Sequence, residues 1–322
     1  MRTSRSTDMP VYETALGQGI TRTPEFQRKG LASFAANVGT KCGHGCLYCS
    51  TGSMLRMHSS FAEVSRNPFD DGYAIVDPNS VERIAYDAAH KTKRGMVQLC
   101  TTVDAWSPEA QRYGLGRNCL EAILRQPGWI VRILTKNAAV SADFDVIERY
   151  RDRVLLGLSI TATPDRGDVT AILEPYASTI DDRMAAMKEA HRRGLRTYGM
   201  LCPLLPGIAD SPQQIDELVR SLVNCGVEEI FAEGVNPRGN GLIKTQEALE
   251  AEGYHDEAEA IREIRNRQGH SRYVVRLLDN VQQSVRKHTN VQQLRFLLYP
   301  SSLTPNDAAR IQNDGAGVIW LA

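Results

Sequence analysis

The chain carries, at residues 41–49, the run Lys41-Cys42-Gly43-His44-Gly45-Cys46-Leu47-Tyr48-Cys49, which holds three of its seven cysteines. The spacing is C-x3-C-x2-C, with an aromatic residue directly before the last cysteine. Thiolates are the usual ligands of iron–sulfur clusters, and a cubane cluster offers four irons. Cys42, Cys46 and Cys49 can therefore hold three irons and leave the fourth open for a substrate or cofactor.

A zinc or redox site is the alternative for these cysteines, because a C-x2-C pair can serve either purpose. Zinc needs a fourth ligand. His44 lies between the cysteines, where it cannot easily fold back, and the sequence has no second C-x2-C pair. The cluster is the favoured interpretation, and a zinc-stabilised binding module with a distant fourth ligand is the non-enzymatic alternative.

Composition limits the classes of protein that remain. Lys plus Arg and Asp plus Glu both number 38, so a strongly basic nucleic-acid binder is not indicated, although a local patch is compatible with this balance. No apolar run approaches the roughly 18–20 residues of a membrane span, and residues 1–28 lack a signal-peptide core. Seven cysteines without framework spacing favour a reducing cytoplasm, which also suits an oxygen-sensitive cluster.

Short apolar runs alternate with longer amphipathic stretches up to about residue 240. The apolar runs predict strands at 34–38, 96–100, 129–134, 154–160, 196–201 and 229–232. The amphipathic stretches predict helices near Ser53 and at 80–91, 108–125, 142–150, 180–193 and 211–225. Continuous apolar strands between helices favour a parallel sheet that is buried on both faces. Six such units predict an α/β fold, a partial (β/α)6 TIM-like barrel.

The expected division is a lead-in at 1–33, the barrel at 34–240 and a C-terminal α+β extension at 241–322. The extension contains a charged helical stretch at 244–268 and apolar runs at 273–278, 294–299 and 317–321. These runs either form a small sheet or help to close the barrel. Residues 262–295 carry eight Arg and Lys residues, which makes them the best candidate nucleic-acid surface; a solvated helical face is the alternative.

Polar residues follow the predicted strands, at the end where parallel barrels carry their chemistry. The ordered series is Cys46-Leu47-Tyr48-Cys49, Cys100-Thr101-Thr102 before Asp104, Leu134-Thr135-Lys136, Gly157-Leu158-Ser159-Ile160-Thr161, Leu173-Glu174-Pro175 before Arg183, and Pro203-Leu204-Leu205-Pro206-Gly207. Over residues 37–239 this series resembles the radical S-adenosylmethionine (SAM) enzymes. Within them it looks like the spore photoproduct lyase group, also described as DNA repair photolyase-like proteins.

The resemblance implies a [4Fe–4S] cluster on Cys42, Cys46 and Cys49, whose open iron chelates SAM. Electron transfer from the cluster then cleaves SAM to a 5′-deoxyadenosyl radical. The implied SAM contacts are Tyr48, which also flanks the cluster as a catalytic residue, Thr102, Ser159 and Lys136, which meets the SAM carboxylate. A surface lysine is the alternative interpretation of Lys136.

The second implied catalytic residue is Cys100, which matches the cysteine that returns a hydrogen atom to the product radical. A small buried packing residue is the alternative for Cys100, and Cys202 is a second candidate donor. Ser50 stands where the lyase has a second tyrosine, and the C-terminal third has no matching segment.

The function that the resemblance implies is lyase-like repair of a DNA lesion, or another modification of a nucleic acid. Hydrogen abstraction from a small metabolite or a peptide is the alternative. The implied partners are DNA or another nucleic acid and a reducing protein such as flavodoxin or ferredoxin.

Overall fold

The computed structural model describes residues 9–321. The strands are β1 Val11–Glu13, β2 Ile20–Arg22, β3 Phe34–Ala36, β4 Gly39–Lys41, β5 Ala74–Val76, β6 Met96–Leu99, β7 Ile130–Thr135, β8 Val154–Ser159, β9 Thr197–Leu204, β10 Ile230–Gly234, β11 Leu294–Leu298 and β12 Val318–Trp320. The α-helices are α1 Pro24–Arg28, α2 Thr51–Met54, α3 Ser59–Glu63, α4 Ser80–His90, α5 Pro108–Arg112, α6 Leu115–Leu124, α7 Phe144–Arg149, α8 Gly167–Leu173, α9 Ile180–Arg192, α10 Pro212–Asn224, α11 Gly241–Ala251, α12 His255–Glu263, α13 Arg267–His288 and α14 Pro305–Asp314.

One nine-stranded sheet forms the centre of the protein. Its order is β12-β11-β10-β9-β8-β7-β6-β3-β2, and every neighbouring pair is parallel except β2 with β3. The six predicted strands are β3, β6, β7, β8, β9 and β10, in sequence order across the sheet. This confirms the α/β, partial TIM-like barrel. Because parallel strands end at the same edge of the sheet, the residues that follow them come together there.

Burial explains why these runs form central strands. All six residues of β8 are buried, and β9 is buried at seven of its eight positions. Helices cover the sheet. Helix α10 begins where the sequence predicts, because Ser211 caps it in a capping box and Pro212 lies in its first turn. Gly114, with φ +61°, divides the predicted helix 108–125 into α5 and α6.

The C-terminal region differs in one respect from the expectation. Residues 273–278, predicted as an apolar strand-like run, lie inside the 22-residue helix α13. Val274, Leu277, Val281 and Val285 are buried at helical spacing, so the apolar period is that of a helix rather than a strand. The other two runs are β11 and β12, which extend the central sheet instead of forming a small sheet of their own.

The division into a lead-in, a barrel and an extension stays a prediction. Strand pairing crosses both of the proposed boundaries. β2 lies in the lead-in and pairs with β3, while β11 lies in the extension and pairs with β10. None of the helices in residues 9–321 combines the length and the apolarity that a membrane crossing requires.

Candidate active site

The cysteine loop connects β4, in a small sheet of order β1-β5-β4, to the short helix α2. The loop is hydrogen-bonded to the end of α8 and to the segment after it: Leu47 N donates to Leu173 O at 3.0 Å, and Tyr176 N donates to His44 O at 3.2 Å. Gly45 has φ +65°, and a Cβ there would lie 3.2 Å from the Tyr176 ring. Glycine therefore suits both the turn and the close approach.

His44 connects the cysteine loop to Asp104, which lies in the segment after β6. Its side chain is buried, and Nε2 lies 2.8 Å from Asp104 Oδ2 while Nδ1 lies 3.3 Å from Tyr176 O. Asp104 also accepts bonds from Thr135 Oγ1 at 2.9 Å and from Lys136 N at 2.8 Å. Burial opposes ionisation of Asp104, but His44 and the backbone N–H donors outweigh it and lower the carboxyl pKa.

A cleft of about 460 Å³ opens at the C-terminal edge of the sheet. Its walls include all three loop cysteines, Tyr48, Thr102, Lys136, Ser159 and Cys202. The volume lies within the range of small-molecule sites. With one exception, Cys100, the structure thus brings the predicted site residues to a single cavity.

Lys136 and Ser159 meet inside this cleft. Lys136 Nζ donates to Ser159 Oγ at 2.9 Å and to Glu174 Oε1 at 3.1 Å, and lies 5.5 Å from the centroid of the Tyr48 ring. Ser159 Oγ donates to Cys202 O at 2.5 Å. Only 15% of the Lys136 side chain is exposed, so this lysine does not lie on an outer surface.

Glu174 is the centre of a buried network that sequence reasoning left without a role. Its carboxylate accepts bonds from Tyr48 and Arg183, and from Thr161 Oγ1 at 2.8 Å. Burial alone would raise the pKa of Glu174, but Lys136 and Arg183 outweigh it and hold the pKa well below its usual range. The network fixes the Tyr48 ring and the Lys136 ammonium relative to each other. The sequence signal that could have indicated this network is the occurrence of Glu174 and Arg183 within the same matched series.

Thr102 and Cys100 lie on the turn after β6. Asn37 Oδ1 accepts from Thr101 N at 2.8 Å and from Thr102 Oγ1 at 3.2 Å, which places Thr102 on the cleft wall. Cys100 has φ +65°, unusual for a residue with a Cβ, and its backbone turns there. The Cys100 side chain is 4% exposed, packs in the core and is absent from the cleft lining. Burial raises its pKa, so the thiol stays protonated.

Cys202, by contrast, lines the cleft together with the loop cysteines. Its Sγ donates to Glu233 Oε2 at 3.6 Å. Burial raises the pKa of Cys202, and Glu233 adds to this effect; burial likewise raises the pKa of Glu233 against the opposing charge of Lys29. Glu233 and Lys29 also line the cleft, and sequence reasoning gave them no role.

The loop thiols fit an iron–sulfur cluster better than a single metal ion. Across residues 9–321, no three His, Cys, Asp or Glu side chains are arranged to hold one ion. A cubane cluster does not require such convergence, because each thiolate binds a different iron. Both ring nitrogens of His44 face oxygen acceptors, so this histidine does not supply the fourth ligand of a zinc site.

Comparisons with known proteins agree with this arrangement. The Radical SAM superfamily model matches residues 36–219, more than half of the chain. An uncharacterized protein of Acidianus two-tailed virus is 25% identical over 65% of this chain and 69% of its own length. An uncharacterized protein of Mycobacterium tuberculosis is 22% identical over 62% of this chain and 57% of its own length.

Solved structures of spore photoproduct lyase variants share the fold. One has a TM-score of 0.54 at 16% identity and covers 78% of this chain and 72% of its own. Another, with bound SAM and a dinucleoside spore photoproduct, has a TM-score of 0.53 at 15% identity, with the same coverage. With the family model, the fold and the cleft in agreement, the chain belongs to the radical SAM superfamily and is an enzyme that uses a [4Fe–4S] cluster and SAM.

Proposed function

We propose that this enzyme acts on a nucleic acid, by lyase-like repair of a DNA lesion or by a related modification, with the cluster on Cys42, Cys46 and Cys49. The observation that carries the proposal is that the three loop cysteines and the Lys136–Ser159 pair line one cleft. When bound, the cluster supplies the electron that cleaves SAM to a 5′-deoxyadenosyl radical. The protein positions SAM and the substrate and excludes water.

Four side chains would hold SAM. The Lys136 ammonium donates to Ser159 Oγ, to Glu174 Oε1 and, at the longer distance of 3.5 Å, to Cys202 O. A SAM carboxylate would replace the long bond to Cys202 O with a charge-assisted one. The hydroxyls of Ser159 and Thr102 supply further polar contacts. Tyr48, fixed by Glu174, would offer its ring to the adenine.

A cysteine thiol would return a hydrogen atom to the substrate radical. The S–H bond breaks, a C–H bond forms on the substrate, and sulfur keeps the unpaired electron. A hydrogen atom from 5′-deoxyadenosine would restore the thiol and leave the 5′-deoxyadenosyl radical; alternatively, an electron from the reducing partner and a proton from solvent would restore it. Cys100 remains the predicted donor by resemblance, whereas the position of Cys202 in the cleft supports the second candidate.

Two further features support a nucleic-acid substrate. Solved structures that share the fold include spore photoproduct lyase variants, and one of them holds a dinucleoside photoproduct. In this chain, three arginines that form no ion pair with the residues described by the structure lie beside the cleft. The reducing partner would be a flavodoxin or ferredoxin in the cytoplasm. The alternative, hydrogen abstraction from a small metabolite or a peptide, draws its support from the volume of the cleft.

The test is anaerobic turnover of the reconstituted enzyme with dithionite or flavodoxin, SAM and either ultraviolet-irradiated or untreated DNA. The proposal expects 5′-deoxyadenosine formation or lesion reversal that depends on the irradiated DNA, detected by mass spectrometry. Two results together would contradict a nucleic-acid substrate. SAM would be cleaved at the same rate with irradiated DNA, with untreated DNA and without DNA, and the DNA would be unchanged. A small-molecule substrate would then be sought.

A further inference from the structure

A second cavity, of about 260 Å³, adjoins the cleft. Asn236 and Tyr299 line both cavities and form their common wall. The charged lining of the second cavity consists of Arg238, Arg265 and Arg267, and no carboxylate takes part in it. The cavity is therefore a basic recess that opens beside the reaction site.

The positive charges of the three arginines are not offset by an ion-paired carboxylate in the described part of the chain. Among residues 9–321, none of them lies within ion-pair distance of an Asp or Glu. Arg265 Nη1 donates to the Gln246 amide oxygen at 2.9 Å, and Arg267 Nε donates to Leu303 O at 2.9 Å. These neutral acceptors orient the guanidinium groups without cancelling their charge.

Four other basic residues of the 262–295 segment lie in ion pairs, whereas Arg272 and Arg286 form none with the described residues. The ion pairs there are Arg262 with Glu259, Arg276 with Asp210, Lys287 with Asp216 and Arg295 with Glu229. The end of the segment at Arg265 and Arg267 stands apart, because the second cavity contains no carboxylate, whereas the cavity that Arg272 lines also contains Asp279 and Asp307. Arg238, which follows β10, also lines the second cavity, with its guanidinium 5.2 Å from the centroid of the Tyr299 ring.

His270 supplies an independent observation. It is 4% exposed and lines the cavity, and its Nε2 donates to Val235 O at 3.0 Å. Its Nδ1 is buried and meets no hydrogen-bonding criterion with any described group, although the Ser302 backbone lies close enough to raise the pKa of the imidazole against the larger opposing effect of burial. A buried polar atom without a partner costs free energy, and a ligand, directly or through a bridging water, would satisfy it.

We propose that this cavity binds a backbone phosphate of the nucleic-acid strand whose reacting base enters the cleft. The inference rests on the proposed nucleic-acid function and assigns the site that anchors the strand. Guanidinium forks match phosphate oxygens in charge and in geometry. The shared wall of Asn236 and Tyr299 lets one strand reach both cavities.

The test measures binding of a fluorescein-labelled oligothymidylate to the full-length reconstituted enzyme by anisotropy, at several salt concentrations. The Arg265→Gln/Arg267→Gln variant should bind at least about tenfold more weakly, because each charged hydrogen bond is worth a factor of that order. The slope of log affinity against log salt concentration should become shallower by about 0.7 for each phosphate that the variant no longer neutralises. Arg286→Gln, an exposed arginine near the other end of α13, is the matched control and should change affinity less than about twofold.

Arg238→Gln is a second variant on a different element, which guards against a local folding defect at the start of α13. SAM cleavage without DNA should be equal in all of these proteins. If the double variant and Arg238→Gln bind the strand as tightly as Arg286→Gln does, the phosphate site is overturned, whatever the outcome of the DNA turnover assay.

The two proposals can also fail separately. The wild-type enzyme could bind no strand and yet bind pyrophosphate, with the arginine substitutions abolishing that binding. The basic cavity would then be an anion site that does not bind a nucleic-acid strand. The nucleic-acid function then fails. If the strand binds and reacts equally in all variants, the function stands and the cavity assignment fails.

Discussion

The ammonium of Lys136 lies 2.9 Å from the hydroxyl of Ser159, although 23 positions separate the two residues in the chain. The register of neighbouring parallel strands explains this contact. Thr135 at the end of β7 pairs with Leu158 of β8, so the next residue on each strand projects from the same edge. The sheet thus builds half of the proposed SAM site through its strand register.

The first prediction concerns this lysine. Lys136→Ala should weaken SAM binding by about ten- to a hundredfold, since a hydrogen bond to a charged group is worth about 1.5–3 kcal/mol. Cluster content should change little, because Lys136 is not among the proposed iron ligands. Isothermal titration of anaerobic protein measures the affinity, and iron analysis measures the content. Lys188→Ala, an exposed lysine on α9, is the control. Equal SAM affinity in both variants would remove Lys136 from the site.

The second prediction concerns the buried pair of Glu174 and Arg183, both about 1% exposed in their side chains. Glu174→Gln should lower the free energy of unfolding by about 3–5 kcal/mol at neutral pH, because it leaves the Arg183 charge unpaired. Urea unfolding of the apoprotein measures this loss. Glu247→Gln, on the exposed face of α11, should have little effect.

The pH dependence of the same pair has a definite sign. The folded-state pKa of Glu174 lies below its ordinary value of 4.5, so its stabilising contribution is complete above that pH and is lost as pH falls towards the folded-state pKa. Acidification from pH 7 to about pH 4 and below should therefore destabilise the wild type more than Glu174→Gln. Parallel stability curves for the two proteins would show that Glu174 does not titrate as a buried ion pair.

The third prediction separates the two candidate hydrogen donors. If Cys202 is the donor, Cys202→Ala should still form 5′-deoxyadenosine with substrate present but release altered products, while Cys100→Ala should retain the normal products. If Cys100 is the donor, Cys100→Ala should release altered products and Cys202→Ala should retain the normal products. Product analysis by mass spectrometry decides between them. Normal products and rates in both variants would mean that neither thiol quenches the substrate radical.

Sequence reasoning located the six central strands because they follow from local apolar runs. It also placed the residues after them at one edge of the sheet, whereas their contact with SAM came from the family resemblance and stays a prediction. An apolar run predicts a parallel strand, and the polar residue after it falls at the catalytic edge. The Glu174 network was not predictable in this way, since its partners come from α9, from the residues that follow β7 and β8, and from the cysteine loop. Nor was the position of Cys100: one residue with positive φ turns its side chain into the core, and the sequence pattern carries no signal of that turn.

Helix α13 illustrates a different limit. A short apolar run fits a strand and a buried helix equally well, so residues 273–278 were ambiguous until their neighbours were known. The apolar positions at Val281 and Val285 continue the helical period and decide the question.

The central claim is that Cys42, Cys46 and Cys49 hold the [4Fe–4S] cluster. The most direct test is iron and sulfide analysis of the anaerobically reconstituted Cys42→Ala/Cys46→Ala/Cys49→Ala variant beside the wild type, with Cys225→Ala, a buried cysteine after α10, as control. The wild type and the control should each hold about four irons and four sulfides per chain, with charge-transfer absorbance. The triple variant should hold almost none, while its circular dichroism stays that of the folded protein. Stoichiometric iron in the folded triple variant would contradict the assignment.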